Sequence, residues 1–155
     1  MGESINNNII PTMGSNFETI YYNGVELNCW DLEGHVSRIR DLWVHYYKDN
    51  RCIIYVIDSN DKECIDENIY EIERLVTIQE AIGIPILFIA NQKNQMDALT
   101  SKEVIEIYQF NKITNRIWKI IEINQINDTE VTEILDWIIT GIDKEKNNED
   151  ITIYI

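Results

Sequence analysis

The chain has 155 residues, with 13 Lys and Arg against 27 Asp and Glu, for a formal net charge of -14. That length describes one domain able to bury a core without disulfides, and 45% hydrophobic with 26% charged residues excludes a disordered chain. The acidity excludes nucleic acid, because too few cations are present to displace counterions from phosphates, and it weighs against an anionic membrane surface as a direct electrostatic partner.

Ile occurs 31 times, Asn 17 times and Ala three times, so an Ile here marks an apolar position more than it marks a strand. The three cysteines, Cys29, Cys52 and Cys64, are odd in number and form no CxxC pair. No apolar leader segment is seen, and no run reaches the ~18 apolar residues of a membrane span. A reduced, cytoplasmic setting with buried, unpaired thiols is expected. His35 and His45 add no zinc-ligand spacing to those cysteines.

In chain order, residues 1–10 are polar and Asn-rich. Phe17–Tyr22 and Val25–Trp30 are strand-like runs around Asn23-Gly24, a pair that favours the type I′ turn of a hairpin. Arg38–Tyr47 is short and aromatic. Cys52–Ile57 is continuously apolar, as a strand covered on both faces is. Ile65, Ile69, Ile72, Leu75 and Val76 follow at helical spacing. Ile84–Ala90 is a second fully apolar strand. Thr100-Ser101-Lys102-Glu103 reads as a capping box opening a helix with Val104 and Ile107 inward. Trp118–Ile123 is a third strand, with Trp118 in the core. The last helix carries Val131, Ile134, Leu135, Ile138, Ile139 and Ile142 on one stripe, places Trp137 in the core, and has Asn127 or Asp128 as its cap. A polar run, Asp143–Asp150, precedes Ile151–Ile155. Alternating strands and helices with doubly apolar strands predict an α/β, doubly wound, mostly parallel sheet.

Four stretches fall at the carboxyl ends of strands, where such folds bind ligands. They are Pro11-Thr12-Met13-Gly14, Asp31-Leu32-Glu33-Gly34-His35 with Trp30 before it, Asp58-Ser59-Asn60-Asp61, and Asn91-Gln92-Lys93-Asn94. With these in order, the chain resembles the Arf/Sar branch of the Ras-like small GTPases. Pro11–Thr19 resembles switch I and its following strand, Asp31–His35 switch II, Leu42–Tyr47 the Arf LWxHYF stretch, Asn91–Asn94 the guanine motif NKxD, and Leu135-Asp136-Trp137 the final helix. The resemblance implies a Ras-like G domain over residues 1–142, followed by an acidic tail, 143–155, with a short apolar end.

The resemblance also implies roles. Thr12 and Asp31 match the Mg²⁺ side of the site, and Thr12 also matches the residue that senses the γ-phosphate. Gly34 matches the amide that touches that phosphate, and His35 the residue that positions water for hydrolysis. Asn91, Lys93, Asn94 and Gln125 fall in the base-binding positions. Trp30 and Tyr46 match two of the three aromatics that Arf effectors contact, with Ser15 at the third. GTP or GDP with Mg²⁺ are the implied cofactors. The implied partners are protein effectors or regulators on the switch and interswitch surface, with a peripheral location at Golgi or endoplasmic reticulum membranes.

Departures qualify those roles. GxxxxGK[ST], whose backbone amides and Lys hold phosphates, is absent, and the chain is expected to begin near the end of the helix that follows that loop. Glu33 replaces a Gly and sets an anion where an anion should bind. One extra residue lies between His35 and Trp43. Gln92 replaces the Lys that packs on the base, and Asn94 replaces the Asp that accepts two hydrogen bonds from guanine; xanthine fits an amide better. Gln125 replaces a small residue. Gly2 invites myristoylation, but Asn6 stands where Ser or Thr is usual. These changes predict weak GTP binding and negligible hydrolysis. Two functions stay open: an Arf/Sar-type switch in vesicle traffic with impaired nucleotide chemistry, and a pseudo-GTPase acting as a nucleotide-independent interaction module. An unrelated α/β enzyme finds no nucleophile–base pair to support it.

The family's first strand lies between the strands matched here by Val25–Trp30 and Cys52–Ile57. Without it two apolar inner edges face each other unpaired. Either they pair directly, or a segment fills the slot; Ile151–Ile155, alternating Ile with Thr and Tyr, is the candidate strand, and a disordered tail is the other reading.

Overall fold

The computed structural model describes residues 12–34, 40–47, 50–91, 96–124, 127–142 and 151–154. The expectations for residues 1–11, His35, Gln92, Lys93, Asn94, Gln125 and Asp143–Asp150 lie outside these residues.

β1 (Ser15–Tyr22) and β2 (Val25–Leu32) form an antiparallel hairpin in which Phe17 faces Trp30 and Tyr22 faces Val25. Asn23 and Gly24 both have positive φ, 50° and 81°, the backbone that a two-residue turn needs to follow the twist of its strands. The single-turn helix α1 (Val44–Tyr47) follows. β3 (Cys52–Asp58), α2 (Ile65–Thr77), β4 (Ile86–Asn91), α3 (Ser101–Ile107), β5 (Trp118–Glu122), α4 (Asp128–Ile142) and β6 (Ile151–Tyr154) complete the order.

The six strands form one sheet in the order β1-β2-β6-β3-β4-β5, parallel except for the hairpin. The alternation of strand side chains splits each apolar run between two cores. Ile53 and Ile57 of β3 and Ile86 and Phe88 of β4 join the core under α2 and α3. Cys52, Ile54, Leu87 and Ile89 join the second core, under α4, with Leu27 and Cys29 of β2. Phe88 stacks on Phe110 with ring centroids 3.9 Å apart. Burial on both faces explains the unbroken apolar runs at Cys52–Ile54 and Ile86–Ala90, whereas Val56 near the end of β3 is exposed.

The capping box is present: the Thr100 side chain accepts from the Glu103 amide, and Glu103 accepts from the Thr100 amide. The Asn127 side chain accepts from the amides of Thr129 and Glu130 and so caps α4. Trp118 and Trp137 are half-buried and pack one on each core. Two expectations shift. Val131 is exposed, because the first turn of α4 precedes the part that packs on the second core, where Ile134, Leu135 and Ile138 lie. Cys64 is half-buried, whereas Cys29 and Cys52 are buried; all three are free thiols.

The central slot is filled by β6. Leu27, Asn28, Cys29 and Trp30 of β2 pair in parallel with Ile151, Thr152, Ile153 and Tyr154. On the other side only Cys52 and Ile53 of β3 pair with Ile153 and Tyr154. Of the two readings of the C-terminal segment, the backbone pairing gives the strand.

Candidate functional site

The hairpin register builds the first part of the site. Because Ser15 pairs with Leu32 and Asn16 with Asp31, the residues entering β1 run beside those leaving β2. The Thr12 hydroxyl donates to Asp31 Oδ2 at 2.9 Å. The Gly14 amide donates to Glu33 Oε2 at 2.7 Å, and the Glu33 amide donates back to the Gly14 carbonyl at 2.9 Å. Gly14 has a φ of 81°, a region open to glycine at little cost. Glu33 is only 7% exposed, so this carboxylate is withdrawn from water by the clasp it makes.

The residues just before α1, braced by α2, hold the other side of the same loop. Trp43 Nε1 donates to the Glu33 carbonyl at 3.1 Å, and Arg40 Nε donates to the Gly34 carbonyl at 2.7 Å. The Arg40 guanidinium also meets Glu67 at 2.6 Å and Glu71 at 3.6 Å. Glu71 is buried and is shared with Arg74, at 3.6 Å, which reaches Asp41 at 2.8 Å. A cavity of about 260 Å³ opens between Asp31, Leu32 and Gly34 and the β3 residues Ile53–Val56, with Arg40, Trp43 and Asn68 on its wall.

Asn91 closes β4 opposite Asp58. The Ser59 amide donates to the Asn91 carbonyl at 3.0 Å, and Leu99 donates to the Ser59 carbonyl at 2.8 Å. The Ser59 hydroxyl is fully buried and has no hydrogen-bond partner among the described residues. The acids of this loop serve its turns: Asp58 accepts from the Asn60 amide, and Asp61 from those of Glu63 and Cys64. The Cys64 thiol and these amides hold the Asp61 carboxyl below its ordinary value.

A third cluster lies on the hairpin. Trp30 and Tyr46 are tilted rings with centroids 5.9 Å apart, and Phe17 packs on Trp30 at 4.8 Å. Phe17 is 49% exposed, beside exposed Ile20 and Tyr21 on the same edge strand. Sequence comparison pointed at Ser15 for the third aromatic position and missed Phe17. The signal was available: Ser15 and Phe17 share a strand face, and the hairpin register sets Phe17 opposite Trp30.

The structure therefore brings Thr12, Asp31, Glu33 and Gly34 together, joins Trp30 to Tyr46, and sets Asn91 at a separate strand end. His35, Lys93, Asn94 and Gln125 are outside the described residues. The Thr12 hydroxyl and the Asp31 carboxylate are the oxygen types that Mg²⁺ takes. Among the described residues no group of three or more His, Cys, Asp or Glu could hold a metal on its own, so an ion there would need further ligands.

Comparison with known proteins gives the family and the fold. Residues 2–142 match Arf, the ADP-ribosylation factor family. The chain is 35% identical over 136 residues to ADP-ribosylation factor K of Dictyostelium discoideum, covering 88% of this chain and 72% of that protein. It is also 35% identical over 136 residues to ADP-ribosylation factor-like protein 1 of Saccharomyces cerevisiae, covering 88% and 74%. The structure of the Arl6 BBS3 small GTPase from Trypanosoma brucei, with bound nucleotide analogue GppNp, superposes with a TM-score of 0.81 at 25% identity, covering 91% of this chain and 86% of that one. The fold and the family match define an Arf-type small GTPase of the Ras-like α/β class. The chain belongs to the ADP-ribosylation factor family. Small GTPases of this kind bind effectors and regulators, and Arf-family members generally bind GTP or GDP with Mg²⁺. Among the described residues no helix is long and apolar enough to cross a membrane.

Proposed function

We propose that this chain is an Arf-type switch protein of vesicle traffic whose switch segments are held together by its own side chains. It binds GTP weakly, hydrolyses it negligibly, and acts by contacting protein effectors or regulators. The observation that carries this reading is the double clasp between Gly14 and Glu33, at 2.7 and 2.9 Å. By resemblance this is the neighbourhood of the γ-phosphate. A buried carboxylate takes the Gly14 amide and repels an incoming anion.

Other features support it. The 155 residues contain no GxxxxGK[ST] stretch, so the usual ring of backbone amides and its Lys are not supplied by these residues. The Arg40 charge is turned to Glu67, Glu71 and the Gly34 carbonyl. These side chains thus fit a cation at Thr12 and Asp31 but not a triphosphate beside them. His35 as water-positioner, and Asn91, Lys93, Asn94 and Gln125 as base-binding residues, are roles by resemblance, with Asn94 poorly matched to guanine. The aromatic face of exposed Phe17 with half-buried Trp30 and Tyr46 is the proposed effector surface, since clustered aromatics make strong anchors. A peripheral place on Golgi or endoplasmic reticulum membranes follows from the family reading.

Calorimetric titration with GTP and XTP, with and without Mg²⁺, tests the nucleotide part. Dissociation constants weaker than about 1 mM, equivalent to about -4 kcal/mol, are expected. Tight, Mg²⁺-dependent GTP binding overturns it and restores a conventional nucleotide-gated switch.

A further inference from the structure

Cys29 of β2 and Cys52 of β3 stand in one row across the sheet, because both pair with Ile153 of β6. Both belong to the same buried core on the same face, at 5% and 0% exposure. With one strand between them their Cα atoms are two strand spacings apart, about 9.5 Å. A disulfide spans Cα atoms up to about 7 Å apart, so these thiols cannot be joined while β6 is in place.

The sheet topology says what would change that. Among the described residues the β1–β2 hairpin pairs with the rest of the sheet only through β6, and β6 holds β3 by two residue pairs against four on β2. If β6 leaves, the edges of β2 and β3 lose their partners, and direct pairing of the two strands restores them. That closure moves the hairpin by one strand spacing, about 4.8 Å, and needs no slide along the strands for Cys29 to meet Cys52. The adjacent pair then falls within disulfide reach.

We infer that Cys29 and Cys52 form a redox-modifiable pair gated by β6: the strand keeps the thiols apart, and a disulfide between them records and locks its departure. The oxidant is a small-molecule disulfide such as oxidised glutathione. One cysteine sulfur, as thiolate, attacks it, forms a mixed disulfide and releases one glutathione thiolate. The second cysteine attacks the protein sulfur of that mixed disulfide and releases the other. Two protein thiols are oxidised to one disulfide, one glutathione disulfide is reduced to two glutathiones, and the two protons lost by the cysteines end on them. Linking the hairpin directly to β3 also shifts Trp30 relative to Tyr46, whose ring lies 5.9 Å away, and shifts the Thr12–Asp31 pair with it. Oxidation therefore rebuilds the switch face. This inference does not depend on how nucleotide binds.

The full 155-residue chain is oxidised with oxidised glutathione under native conditions, and linked peptides are mapped by mass spectrometry while hydrogen exchange is followed. A Cys29–Cys52 link is expected to exceed any link to Cys64 by at least about tenfold. It should form faster than the Phe88 core amide exchanges by global opening. In the linked protein, Ile151–Tyr154 amides should be unprotected while β3–β4 amides stay protected. Cys29→Ser should abolish the link, and Cys64→Ser should leave it. Absence of the link, formation only at the global opening rate, or continued protection of β6 in the linked protein each overturns the proposal.

Discussion

At the residue scale the clasp between Glu33 and Gly14 decides how the switch segments sit. A buried carboxylate accepting a backbone N–H at 2.7 Å is a charge-assisted bond. Glu33→Ala leaves the Gly14 amide without it and should lower stability by about 2 kcal/mol, read from urea unfolding. Glu33→Gln keeps an acceptor and should lose less. Cys52 gives a pH prediction. Burial pushes its thiol up from 9.0 to about 12. The unfolded chain therefore releases this proton near pH 9 while the folded chain keeps it, and stability falls as pH rises from 9 toward 12. Tyr47, raised by burial from 10.0 to about 12, adds to the fall above pH 10. Cys52→Ala should lose less stability than the parent between pH 9 and pH 10, whatever its starting value. The Thr12 and Asp31 pairing was legible as two motif positions. The Gly14–Glu33 clasp was not, because the sequence shows a replaced glycine but not where the new carboxylate finds a donor.

At the element scale, local rules place the hairpin and the helix starts. The Asn23-Gly24 turn and the Thr100–Glu103 box are dictated by backbone sterics and by orphan amides, which neighbours along the chain supply or satisfy. Gly24→Ala meets nothing within 4 Å of the new Cβ, so its cost is the strained φ of 81° alone, about 1 kcal/mol in urea unfolding. Thr100→Ala should cost a similar amount, about 1 kcal/mol, through loss of the cap. What was not legible depended on the reach of other elements. Periodicity told which face of α4 is apolar, but not that its packing on the second core begins at Ile134 rather than Val131. Phe17 was missed for the same reason: a motif comparison follows positions along one chain, whereas the aromatic cluster is made across two strands and α1.

At the scale of the whole molecule the sheet is an outer hairpin joined to a parallel block through one short strand. The slot itself was implied by the family resemblance, which sets a strand between those matched by Val25–Trp30 and Cys52–Ile57; unpaired inner edges cannot be left in a folded core, and Ile151–Ile155 has the alternation of a strand. Which of pairing, filling or disorder occurs depends on contacts formed after the rest is folded, and no local pattern states that. The fold brings Thr12, Asp31, Glu33 and Gly34 together through bonds between the chain's own groups, and the proposed weak nucleotide binding rests on that clasp. Amide hydrogen exchange of Gly14, whose N–H is held by Glu33, tests it most directly, measured with and without saturating Mg²⁺ and GTP. Protection that is present without nucleotide and unchanged by it is the predicted result. A Gly14 amide that exchanges freely alone and becomes protected only with Mg²⁺ and GTP would contradict the account.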